Sequence, residues 1–99
     1  MNVTYGIDEI DGGEAITEFT PKDIEESAGW GGAVRYWHQF FDYTATEFRS
    51  DHNHLAMQVT GPDAEVCKRL VRAYYDAAAQ IDRVIADEAI KKFNKENAK

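Results

Sequence analysis

The feature that most constrains this chain is its last third. From Pro62 to Phe93 the apolar residues Val66, Leu70, Tyr74, Ala77, Ala78, Ile81, Ile85, Ala89 and Phe93 fall at three- and four-residue intervals. That spacing lays one stripe along an α-helix. Thr60 stands as the capping residue, Gly61 and Pro62 open the first turn, and Asp63 and Glu65 set negative charge against the positive end of the helix dipole. Lys91, Lys92 and Lys95 suit the opposite end. Thirty-two helical residues span roughly 48 Å at 1.5 Å per residue. A compact domain of 99 residues has a radius of gyration near 13 Å, hence a diameter of roughly 33 Å. A straight helix of this length does not fit inside such a globule. It breaks, or its end projects and frays, or the projecting stripe packs on another chain. Ile85, Ala89 and Phe93 are the residues left over, and they are expected to form an oligomer interface, most simply that of a homodimer.

The front of the chain reads as a hairpin. Val3-Thr4-Tyr5-Gly6-Ile7 and Ala15-Ile16-Thr17-Glu18-Phe19 are strand-forming runs separated by an acidic stretch ending in Asp11-Gly12-Gly13. The two glycines supply the positive φ angles that such turns require. A short helix is then expected from Pro21 to about Ala28. Thr20 caps it, Asp23 stands three residues on, and Phe19 and Ile24 occupy the positions of a hydrophobic staple. Gly29, Gly31 and Gly32, around Trp30, end it.

Between Ala33 and Phe48 the sequence carries two signals. Val34, Trp37, Phe41, Thr44 and Phe48 recur at helical spacing, yet Tyr36, Trp37, Phe40, Phe41, Tyr43, Thr44 and Thr46 are strand formers. Tyr43 to Arg49 reads as a strand returning through Ser50-Asp51-His52-Asn53 into a second strand, Leu55 to Thr60, where Leu55, Met57 and Val59 alternate. Residues 33–42 stay open between helix and strand. The expected architecture is a single α+β domain over 1–99: a small antiparallel sheet of hairpins, a short helix and one long C-terminal amphipathic helix.

Charge is distributed unevenly. Residues 1–26 hold eight acids and one base, while residues 27–99 hold ten of each, so the whole net charge of −7 sits in the first quarter. A field of that sign repels phosphate backbones and anionic lipid and steers toward basic protein surfaces. Direct nucleic-acid and membrane binding are therefore not expected. No run reads as a signal peptide or a membrane span, and Cys67 is the lone cysteine, set among Val66 and Leu70 as a small buried side chain. A cytoplasmic location is the expectation.

Catalytic signatures are weak. His52 and His54 are two apart and would share one face of a strand, a spacing that metal sites use, with Asp51, Asp42 and Glu47 as further oxygen donors. A small metal-dependent enzyme centred there is the alternative reading; the favoured one is a polar hairpin tip, with no metal and no cofactor. Gly29-Trp30-Gly31-Gly32 lacks the Lys-Ser/Thr of a phosphate loop. The run from Tyr36 to Tyr43 holds more aromatics than one buried face requires. Trp37 and Phe41 are expected in the core, whereas Tyr36, Phe40 and Tyr43 are not all expected to fit inside; Tyr36 and Tyr43, with Trp30, are the expected contact residues, of the kind that dominate binding hot spots. Asp8, Glu9 and Asp11 complete the expected binding set.

A short acidic chain with a glycine-punctuated, aromatic-rich front and a terminal helix running from Asp63-Ala64-Glu65-Val66 to Lys95 resembles small phage-encoded anti-defence proteins of the anti-CRISPR type. Tyr5-Gly6-Ile7-Asp8-Glu9 and Asp87-Glu88-Ala89-Ile90 carry a likeness to type I anti-CRISPR inhibitors, over less than half the chain. The resemblance implies an inhibitor in the host cytoplasm that presents carboxylates to a basic nucleic-acid-binding surface of a host complex. A homodimeric interaction domain joined through the long helix is the other non-enzymatic reading.

Overall fold

The computed structural model describes residues 1–9, 12–23, 33–49 and 54–97. Five strands, β1 (Val3–Asp8), β2 (Thr17–Phe19), β3 (Ala33–Phe40), β4 (Tyr43–Arg49) and β5 (Leu55–Gly61), precede a long helix, α1 (Ala64–Asn97). The strands form one antiparallel sheet in the order β2-β1-β5-β4-β3. A first helical turn opens at residues 21–23. The α+β architecture read from the sequence is thus the one observed.

Strand alternation decides which side chains meet the helix. Tyr5 pairs with Val59, and Val59 with Ala45, so the three stand in a row on one face. Ile7 and Met57 form the next row, and Leu55 the last. Against this face α1 sets Cys67, Val71 and Tyr75, and these nine residues are the buried core. The reverse face is rich in hydroxyls: Thr4, Thr60 and Thr44 form one register row, and the Thr4 and Thr60 hydroxyls hydrogen-bond each other at 2.7 Å.

The capping chemistry is partly as expected and partly displaced. At the first helical turn, Thr20 N donates to Asp23 Oδ2 (2.9 Å) and Asp23 N to Thr20 Oγ1 (3.2 Å), a reciprocal capping box. The backbone N–H and hydroxyl of Thr20 hold the Asp23 carboxyl below its usual range. At α1 the cap is Asp63, not Thr60: Val66 N donates to Asp63 Oδ1 at 3.1 Å. Thr60 is unavailable because β5 runs on through Gly61, and its hydroxyl is engaged across the sheet. The rest of the short helix, and its staple residue Ile24, lie outside the described residues.

The undecided segment is a strand. β3 pairs with β4 from Ala33↔Arg49 to Phe40↔Tyr43, closing a hairpin on the two residues Phe41 and Asp42. Strand periodicity then overrides the helical spacing of Val34, Trp37 and Phe41. Trp37 falls on the face away from α1 and Phe41 in the turn, so both are exposed and neither joins the core. The β1–β2 connection carries the expected positive φ values, at Gly12 (87°) and Gly13 (69°).

The helix neither breaks nor curls back. Its 34 residues span about 51 Å, and the molecule is 61 Å along its longest axis and 25 Å across, with a radius of gyration of 15.6 Å. Asp82 is the last half-buried residue of α1; everything from Arg83 to Glu96 is exposed. Arg49, on the last row of β4, makes an ion pair with Asp82 and ties the helix down where the sheet ends. Arg72 donates to the carbonyls of Gly13 (2.9 Å) and Glu14 (2.7 Å), fastening the β1–β2 connection to the same helix.

Two outcomes follow from the caps and the core. Asp63→Ala is expected to cost about 1 kcal/mol in chemical denaturation, the usual worth of an N-cap; no loss would show that the turn holds itself. Burial pushes the Cys67 thiol up, with Asp63 adding to the shift, and burial with Glu9 and Asp8 does the same to the Tyr75 phenol. An acid whose pKa is raised by folding stabilises the native state below its unfolded-state pKa, about 8.5 for Cys and about 10 for Tyr. That stability is lost as pH climbs through and above those values. The melting temperature should therefore be flat near neutrality and fall above about pH 9; a flat profile up to about pH 10.5 would contradict the burial of both groups.

Candidate binding surfaces

Three features stand out on the described surface: a shallow cleft, an aromatic hairpin tip and the projecting half of α1. The cleft, about 700 Å³, lies where the helix leaves the sheet and is lined by Glu9, Gly13, Tyr75, Asp76, Asp82 and Arg83 among others. Its chemistry is largely consumed internally. Glu9 Oε2 accepts the backbone N–H of Leu55 at 2.8 Å, bridging the end of β1 to the start of β5. Asp82 is paired with Arg49, and Asp76 lies 3.6 Å from Arg72. The Tyr75 hydroxyl abuts Gly13, where an added Cβ would lie 2.5 Å from the phenolic oxygen. With its φ of 69°, Gly13 is required twice over, by conformation and by space.

The sequence-derived binding residues do not converge. Asp8 is half-buried at the end of β1, opposite Ala56, and Glu9 follows it. Tyr43 begins β4 at the far end of the sheet, next to the Thr44↔Thr60 pair. Four residues of strand separate those two levels, about 13 Å. Tyr43 is half-buried and packs against the core, its ring lying so close to Gly61 that a Cβ there would overlap it. Burial, followed by Asp63, raises its phenolic pKa. Tyr36 pairs with Glu47 in the β3–β4 ladder. Asp11 and Trp30 lie outside the described residues, as does His52. His54, half-buried, immediately precedes β5. Among the described residues no group of three or more His, Cys, Asp or Glu could hold a metal ion.

At the hairpin the sequence pointed to an excess of aromatics, Phe40 among them, but expected Trp37 and Phe41 in the core. Trp37, Phe40 and Phe41 are 60%, 54% and 81% exposed. Phe40 and Phe41 meet edge to face with ring centroids 4.6 Å apart. Beneath them His38 stacks at a tilt on Tyr74 of α1, centroids 5.6 Å apart. Phe41 has φ 52°, and no other non-glycine residue among those described has a positive φ. A positive φ at the first but not the second central position is the pattern of a type II′ turn, whose first position is ordinarily glycine. The signal available in sequence was the pairing of strand formers on both sides of Phe41-Asp42. It was hidden because Phe41 stands at the first central position, where glycine is usual, although Asp42 is an ordinary turn residue.

The third surface is the one the helix length foretold. Ile81, Val84, Ile85, Ile90 and Phe93 are each 57–64% exposed, and Ala89 lies between them, also exposed. No helix among the described residues is long and apolar enough to cross a membrane. No family model, curated protein or solved structure matches this chain.

Proposed function

We propose that this chain is a binding protein that acts by contact rather than catalysis, seating a basic protein surface on the β3–β4 hairpin tip. The observation that carries the reading is Phe41. A bulky side chain in the left-handed region costs roughly 1–2 kcal/mol, and this one recovers little by packing, since it is 81% exposed. Strain of that kind is held at sites that use it. Exposed Phe40 and Phe41 at a two-residue turn closed by the β3–β4 ladder supply anchor residues at low entropic cost, because the backbone there is already paired. Asp42 in the turn and Asp63 near the Tyr43 ring set carboxylates beside the aromatics.

The acidic first quarter complements this by steering. Its field accelerates encounter with a basic surface, and salt screens it over about 8–10 Å at physiological strength. A phage-encoded inhibitor that occupies a nucleic-acid-binding surface of a host complex in the cytoplasm, the mode implied by the anti-CRISPR resemblance, is one form of this function.

The test is Phe41→Gly. It should leave folding stability unchanged or raise it by up to about 1 kcal/mol, since glycine relieves the turn at some entropic cost. Against a partner captured from a host lysate, the variant should dissociate at least about tenfold faster. Raising the ionic strength should slow association of both proteins alike. A variant that gains stability and keeps the full complex lifetime would remove the tip from function.

A further inference from the structure

We infer that the projecting half of α1 is a self-association surface, on which a second copy of this chain lays the same helix segment antiparallel. The face concerned is remote from the hairpin tip and does not depend on it. Along α1 the side chains that meet the sheet are Cys67, Val71, Tyr75 and, at the sheet's end, Asp82. At 100° per residue Ile85, Ala89 and Phe93 continue that same line, with Ile81 toward one border and Ile90 toward the other, while Val84 points away from it. One continuous apolar face is thus covered for half its length and bare for the rest. The bare part, Arg83 to Glu96, is about 21 Å long, and a helix of that length is marginal in water on its own. A contiguous apolar patch on such an element marks an interaction site.

The order of charges selects the occupant. From Arg83 to Glu88 the helix carries Arg83, Asp87 and Glu88, a net −1, Asp82 being paired with Arg49; from Lys91 to Glu96 it carries Lys91, Lys92, Lys95 and Glu96, a net +2. Two copies side by side in parallel set like halves together. Antiparallel about a dyad near Ala89, Glu88 of each copy comes within one helical turn of Lys92 of the other, on the same edge of the face, twice over. The helix dipoles also oppose favourably in that arrangement. The small side chain of Ala89 lets the backbones approach at the dyad, and Phe93 of each copy comes level with Ile85 of the other. The intrahelical Glu88–Lys91 pair, at 3.3 Å and well exposed, is too weak to compete with this arrangement. A twofold pairing of this kind closes, so it yields a dimer rather than a filament.

Sedimentation of the full chain at tens of micromolar should show a dimer. Phe93→Glu, a change at an exposed position, should raise the dimer dissociation constant at least about tenfold without altering the melting of the sheet core. Orientation is read by cysteine pairs, with buried Cys67 out of reach. Ala89→Cys alone, and Ile85→Cys mixed with Phe93→Cys, should oxidise to covalent dimers, while Ile85→Cys alone should not. A monomer at that concentration, or a dimer indifferent to Phe93→Glu, would overturn the inference. Efficient self-crosslinking of Ile85→Cys would overturn the antiparallel register. A monomeric wild type that nonetheless loses its captured partner on Phe93→Glu would give this face to a heterologous protein.

Discussion

A five-stranded sheet whose longer strands hold six to eight residues offers about 20–26 Å of surface along its strands. A single helix of about 51 Å has to cover it. The rest of the structure follows from that mismatch. Only the first half of α1 finds a sheet to pack on, so the core gathers there, with Ile7, Leu55, Met57 and Val59 from the strands and Cys67 and Val71 from the helix almost wholly removed from water. The core is small for its chain, and the elements around it are held by polar ties at its margins. Arg49 grips Asp82 at the point of departure, Arg72 holds the backbone of Gly13 and Glu14, and Glu9 receives the Leu55 amide.

Those ties engage much of the charge described at the end of the sheet beside the projecting helix. Each carboxylate there whose partner is known is spent on holding one element to another. The acids of the first quarter thus divide into two kinds. Glu9 and Asp23 are structural, one anchoring β5 and the other closing a capping box. Glu14 and Glu18 are exposed and contribute mainly to the field around the molecule. The described acids of this stretch therefore do not gather into one charged site, because the β1–β2 hairpin spreads them along an edge of the sheet.

The opposite end of the sheet shows the reverse economy. Nothing in the packing of the hairpin requires Phe41 to be a phenylalanine, and the turn would relax with glycine there. The two apolar exposures, tip and helix, lie toward opposite ends of the molecule, which suits a protein that meets one partner while joined to its own copy. Burial of Tyr43 against Gly61 separates the two roles an aromatic can take in this region. One ring closes the core while its neighbours on the turn stay outside.

What the sequence determined by itself is whatever rests on periodicity and local chemistry. The stripe from Val66 onward made the long helix inevitable, and the alternation of Leu55, Met57 and Val59 defined β5. Gly12-Gly13 set the first connection, and Thr20 with Asp23 the start of the short helix. Length alone left the end of that helix to break, to fray or to pack on another chain, with Ile85, Ala89 and Phe93 as the residues left over. Tertiary structure decided the rest, for reasons that local signals do not carry. Thr60 lost the helix cap to Asp63 because its strand runs one residue further, through Gly61, and its hydroxyl faced Thr4 across the sheet. Residues 33–40 became a strand because β4 offered an open edge, and hydrogen bonding along that edge outweighs an ambiguous pattern of aromatics. Pairing then fixed the faces: a period of two, imposed by a neighbour, put Trp37 and Phe41 outside where a period of 3.6 would have buried them.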